Sequence, residues 1–123
     1  MLPKQREMDE IVERIYTAIE SRPHLESTLF ILAGDHGMND AGNHGGSGEG
    51  ETSPALVFMN PKLKAMASPC TAPTKPDSGD FGFYDTIQQS DLAPTITSLL
   101  GLPAPKNNLG VFIPGFLQLW KCM

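Results

Sequence analysis

The sequence is short of several things. Lys and Arg together number nine against 14 Asp and Glu, giving a net charge of −5, and the basic residues are scattered. There is no basic stripe to follow a phosphate backbone, which excludes nucleic acid as a partner. The two cysteines, Cys70 and Cys122, are far apart, so they make neither a C-x-x-C metal pair nor a disulfide framework. No apolar run approaches the roughly 18 residues needed to span a bilayer, and the segment Met1–Glu7 has no apolar signal core. These absences predict a chain without a targeting signal or membrane span of its own. No Walker A ending follows the glycines at 34–50, so the loop is not a nucleotide P-loop.

What is present reads as one α/β unit, since 123 residues with 40% apolar content support a single core. Met8, Ile11, Val12, Ile15, Ala18 and Ile19 recur at helical spacing behind Pro3, predicting an amphipathic helix over 4–22 whose stripe packs in the core and which Pro23 stops. Residues 28–33 and 54–59 are continuous apolar runs, as expected of strands covered on both faces, and a helix followed by such a strand predicts a mostly parallel sheet flanked by helices. Residues 60–80, rich in Pro and Ser, have linker composition and predict a mobile surface excursion. Asp91 is placed to cap a helix through Leu92, Ile96 and Leu100, with Gly101 as its C-terminal stop.

The chemistry concentrates between the two apolar runs. Residues 34–53 carry seven glycines, so the chain leaves the first strand into a long irregular loop, a kind that is usually functional or disordered. Asp35 and His36 stand just past the strand's carboxyl end, where open α/β sheets bind ligands. Gly34 and Gly37 allow the sharp turn that lets neighbouring side chains reach one site. A carboxylate and imidazoles suit Zn²⁺ or Mn²⁺, and His44 follows in a loop able to fold back. Asp35, His36 and His44 are therefore the metal candidates. An isolated Asp-His-Gly is also a common surface turn. His24, after Pro23, reads as a solvated surface residue, and Glu49 and Glu51 as exposed loop carboxylates without a special task.

At these residues a resemblance emerges. Gly34-Asp35-His36-Gly37-Met38-Asn39-Asp40-Ala41-Gly42-Asn43-His44-Gly45-Gly46 resembles the alkaline phosphatase superfamily, specifically the GPI ethanolamine phosphate transferases, and its Asp-His-Gly-Met core is shared with nucleotide pyrophosphatase-like phosphodiesterases. The strings Glu49-Gly50-Glu51-Thr52-Ser53, 87–95 and 105–111 are most similar to the fungal branch that modifies the second mannose of the GPI precursor.

The resemblance implies an enzyme of the endoplasmic reticulum membrane with its domain facing the lumen. Two zinc ions would hold the phosphodiester, and a threonine would take ethanolamine phosphate from phosphatidylethanolamine before passing it to the GPI lipid precursor, with a small membrane partner subunit. It implies that Asp35 and His36 ligate the ion that activates the nucleophile and that His44 ligates the other. The family's first metal-binding Asp, its threonine nucleophile, its Asp-x-x-x-His pair and the membrane region that would follow Trp120 have no counterpart in this sequence.

The expectation is thus the C-terminal part of an alkaline phosphatase-like catalytic domain over 1–123, with 110–123 approaching the membrane region, holding metal weakly and inactive alone. Two other readings stay open: a soluble metal-dependent phosphodiesterase or phosphomutase-like hydrolase, and a non-catalytic remnant.

Overall fold

The computed structural model describes residues 2–66 and 86–116, which fall into two compact units, 1–64 and 65–123.

In the first unit, helix α1 runs Leu2–Ser21 and a 3-10 turn at Pro23–Leu25 follows, so Pro23 ends the helix as expected. Strand β1 is Phe30–Ala33, a one-turn helix α2 is Glu49–Thr52, strand β2 is Leu56–Met59, and helix α3, Pro61–Met66, begins in this unit and runs past its end. Mixed helix and strand bear out the α/β class, with strands shorter than the apolar runs that encode them.

The pairing corrects the expected parallel sheet. β1 and β2 lie antiparallel, with Phe30 opposite Met59 and Ala33 opposite Leu56. A parallel return needs a crossover, usually a helix, to carry the chain back to the starting edge. Here the connection holds only the single turn of α2, and it leaves and re-enters the sheet at the same end. The strands are also not covered on both faces. Phe30 and Ile31 are half-buried, while Leu32 and Val57 are exposed.

The α1 stripe is corrected in the same direction. Ile19 is 4% exposed, but Ile15, Ile11 and Met8 rise to 41%, 44% and 59% towards the start of the helix. Twenty helical residues extend about 30 Å. Four-residue strands reach only about 14 Å. Such strands are too short to cover the whole length of the helix. Near its end, Tyr16 lines an open hollow with Phe58, Met59, Asn60 and Leu63.

Helix α3 occupies the start of the segment expected to lack regular structure. Its signal is in the sequence: the Asn60 side-chain oxygen accepts the Lys62 N–H at 2.7 Å, and Pro61 stands at the first helical position, where no N–H is missed. The Asn60 amide also donates to the carbonyls of Glu26 (3.0 Å) and Thr28 (2.8 Å), tying the entry of β1 to the exit of β2. The mobile excursion expected over 67–80, Cys70, Cys122 and the tail from Leu117 through Trp120 lie outside the described residues.

In the second unit, a 3-10 turn at Gln89–Asp91 leads into helix α4, Leu92–Leu99. Gly101 ends α4 at φ +70°, with Leu102 N–H on Thr97 O (2.8 Å) and Gly101 N–H on Ser98 O (3.1 Å), the paired bonds of a Schellman stop. Asp91 does not cap α4 as expected. Its carboxylate accepts the N–H of Gln88 (3.1 Å), closing a capping box on the 3-10 turn, and the N–H of Val111 (2.9 Å). Thr95, fully buried, donates to Asp91 O at 2.6 Å and accepts the Ile113 N–H at 2.9 Å. Segment 108–113 is thereby bound across the start of α4, with Ile113 and Phe116 buried and Phe112 edge-on to Phe116 at 6.1 Å.

Candidate metal centre

The antiparallel pairing makes the glycine-rich segment the long loop of a hairpin, with both ends rooted at one place. Gly34 N–H donates to Ala55 O at 3.0 Å, extending the ladder one step beyond Ala33, and a Cβ at Gly34 would crowd Pro54 Cβ at 2.8 Å. Gly37 N–H donates to Glu51 O at 2.8 Å, and a Cβ there would collide with the Gly50 carbonyl. Asp35 and His36 are thus fixed between two glycines that each let a second backbone segment pass close by.

From Met38 the chain makes a stapled turn. The Asn39 side-chain oxygen accepts the N–H groups of Ala41 (3.1 Å) and Asn43 (2.9 Å), and Asn39 N–H donates to Asn43 O at 3.0 Å. Gly42, at φ +82°, closes it by donating to Asn39 O at 2.8 Å. The turn brings His44 back over His36, and the two imidazoles stack with centroids 4.5 Å apart and planes 8° from parallel.

The donor atoms follow from the hydrogen bonds. His36 Nδ1 lies 2.8 Å from Gly37 O; a carbonyl can only accept, so Nδ1 carries a proton. In the neutral ring Nε2 then has the lone pair. Asp35 Oδ1 accepts the His36 N–H at 3.0 Å, and Oδ2 lies 3.7 Å from His36 Nε2. Two ligand atoms on one tetrahedral zinc at ordinary bond lengths are about 3.4 Å apart. Asp35 Oδ2 and His36 Nε2 are close to that spacing, and a ligating histidine commonly gives its other N–H to a backbone carbonyl. The residues present fit a divalent ion. The position is open to solvent, with the side chains of Asp35 and His36 89% and 42% exposed.

All three sequence-predicted residues are therefore neighbours, but unequally. Asp35 and His36 present a donor pair, whereas His44 is held by ring stacking. Among the described residues no three of His, Cys, Asp or Glu converge on one ion position. His24 is exposed in its 3-10 turn, as expected.

Two residues were missed. Asn39 staples the turn that returns His44, and Asn ahead of Ala41-Gly42 is the signal that identifies it. Glu51, read as an idle loop carboxylate, is half-buried and accepts the Gly46 N–H through Oε1 at 3.3 Å. Its signal was the three-residue spacing from Gly48, which makes it the third residue of α2 and able to reach back over the helix start.

The chain is similar to known proteins along nearly its whole length. A family model described as Sulfatase matches residues 4–102. The chain is 58% identical over 120 residues to GPI ethanolamine phosphate transferase 2 of Aspergillus fumigatus, covering 98% of this chain and 16% of that protein. It is 54% identical over 120 residues to the protein of that name from Aspergillus oryzae, covering 98% of this chain and 14% of that one. For the Saccharomyces cerevisiae protein of that name the figures are 45% over 126 residues, 97% and 15%. The chain thus spans about a seventh to a sixth of the length of these relatives. No solved structure matches it significantly. With the family match running from α1 through α4 and enclosing the Asp35, His36 and His44 loop, the chain belongs to the Sulfatase family, within the alkaline phosphatase superfamily.

Proposed function

We propose that this chain is part of an ethanolamine phosphate transferase of GPI-anchor biosynthesis that modifies the second mannose of the GPI precursor. Asp35 and His36 hold one divalent ion, and His44 contributes to a second. Zinc suits the mixed carboxylate and imidazole donors, and Mn²⁺ is the alternative. Bound there, the ions supply charge stabilisation of the attacking and leaving oxygens in phosphoryl transfer. In this chain Gly37 O fixes the His36 tautomer, the Asp35 carboxylate is oriented by the His36 N–H, and the hairpin loop keeps both beside His44. No residue of this chain is assigned as the nucleophile.

The observation that carries the reading is the 3.7 Å separation of Asp35 Oδ2 and His36 Nε2, a spacing that suits two ligands of one ion, within the segment over which the chain aligns with the transferase relatives. On this reading the donor is phosphatidylethanolamine, the domain faces the lumen of the endoplasmic reticulum, and a small membrane subunit accompanies the enzyme. Among the described residues no helix is long and apolar enough to cross a membrane.

A chimera tests the proposal: this chain replaces the corresponding 120-residue segment of the Aspergillus fumigatus relative. Microsomes carrying it are given labelled phosphatidylethanolamine and a mannosylated GPI precursor. The expected result is label on the second mannose, lost in His36→Ala and His44→Ala. Label on a different mannose, hydrolysis of soluble phosphodiesters without transfer, or full transfer by both alanine variants would overturn it.

A further inference from the structure

Glu51 has a part in the loop that its sequence position did not suggest. Its main-chain carbonyl accepts the Gly37 N–H at 2.8 Å, one residue from His36. Its carboxylate accepts the Gly46 N–H at 3.3 Å, two residues from His44. One residue therefore grips both arms of the loop, each beside a histidine. A glutamate at the third position of a helix ordinarily reaches back to the N–H of the residue capping that helix. Here Gly48 caps α2 without a side chain, and the carboxylate reaches past it to Gly46. The space it occupies exists because the loop is glycine there: a Cβ on Gly46 would stand 2.5 Å from Glu51 Oε2, and one on Gly48 would stand 3.0 Å from the same atom. Gly45, at φ +91°, makes the turn that aims the Gly46 N–H at the carboxylate.

We propose that Glu51 is a positioning residue for the metal centre, its carbonyl fixing the His36 arm and its carboxylate fixing the His44 arm so that the two imidazoles stay paired. Its importance for metal rests on the reading of Asp35, His36 and His44 as ligands; its hold on the histidines does not. The carboxylate acts as a hydrogen-bond acceptor for the loop and is not itself a ligand. Glutamine, which keeps an acceptor oxygen at the same reach, should therefore replace it.

The test reads the metal-free chain first. Stacked imidazoles shift each other's ring-proton resonances, and NMR of the histidine rings in wild type should show that mutual shift for His36 and His44. Glu51→Ala should abolish it, and Glu51→Gln should retain it. Gly46→Ala is the variant that spares the backbone: the new Cβ meets only the far end of a flexible side chain, so the carboxylate swings away, and the ring shift should be lost as in Glu51→Ala.

Zinc titration by calorimetry is the second readout. Loss of an outer hydrogen-bonding partner typically weakens metal affinity by roughly tenfold or more, which is the loss expected for Glu51→Ala and Gly46→Ala but not for Glu51→Gln. Unchanged ring shifts in both Glu51→Ala and Gly46→Ala would overturn the proposal. So would a Glu51→Gln that keeps the ring shift yet loses zinc, because Glu51 would then be a ligand. If wild type takes up zinc too weakly to titrate, as expected of an incomplete ligand set, the ring shifts of the metal-free chain decide the role of Glu51.

Discussion

Asp91 shows how one side chain can organise a stretch of backbone. It is 8% exposed and satisfies two main-chain donors, Gln88 N–H and Val111 N–H, from segments far apart in sequence. Replacing it with alanine leaves both donors without their partner in a site with little water, a loss of roughly 1–3 kcal/mol. Asp91→Asn keeps one acceptor oxygen and should lose about half as much. Denaturant midpoints measure the cost, and hydrogen exchange locates it: the Val111 amide should lose protection in Asp91→Ala. Equal stability of the alanine and asparagine variants would mean that only one of the two bonds matters.

At this scale the candidate site was legible as residue types and not as roles. Asp35, His36 and His44 were picked out because carboxylate and imidazole are metal donors, and the loop does bring them together. That His36 turns Nδ1 to the Gly37 carbonyl and that His44 stacks on its ring depend on backbone carbonyl and ring positions, which spacing alone does not fix. Glu51 was passed over because exposure was inferred from loop composition, whereas the absence of side chains at Gly46 and Gly48 gives its carboxylate a lodging.

Among the elements, local signals served well at ends and poorly for partners. Pro23, Gly101 and the Asn60-Pro61 step each stand at a helix boundary, because proline, glycine and asparagine act through backbone geometry within a few residues. Asn60 does more than cap. Its oxygen starts α3, and its amide group joins the two ends of the hairpin through Glu26 and Thr28. Asn60→Asp keeps the cap and removes both amide donations, while Asn60→Ala removes all three bonds. We expect Asn60→Ala to cost roughly 1–3 kcal/mol and Asn60→Asp most of the same amount, as read from thermal unfolding. An aspartate variant as stable as wild type would show that only the cap contributes. The direction of strand pairing was out of reach of such signals. A four-residue apolar strand has the same composition in a parallel or an antiparallel pair, and only the path of its connection decides between them.

For the molecule as a whole, the described residues bury few large apolar side chains. Ile19, Ile113 and Phe116 are buried, whereas Leu2, Met8, Leu100, Leu102, Leu109 and Val111 are each more than half exposed. Exposed apolar surface of this kind, together with a sheet of two short strands among the described residues, favours association with other chains. The purified chain is expected to self-associate increasingly as its concentration is raised and to bind a hydrophobic dye, both measurable by analytical ultracentrifugation and fluorescence. A monomer with a sharp, reversible melt and no dye binding would contradict this.

The sequence by itself determined the α/β class, the C-terminal ends of α1 and α4, the glycine-rich loop between the strands and the three candidate metal ligands. These follow from propensity, periodicity and donor chemistry, which act over a few residues. Only the tertiary structure decided that the strands run antiparallel, that Asp91 ties Val111 down instead of capping α4, and that Glu51 grips both arms of the histidine loop. Each of these depends on which distant backbone groups come within hydrogen-bonding reach, and that is settled when the chain closes on itself.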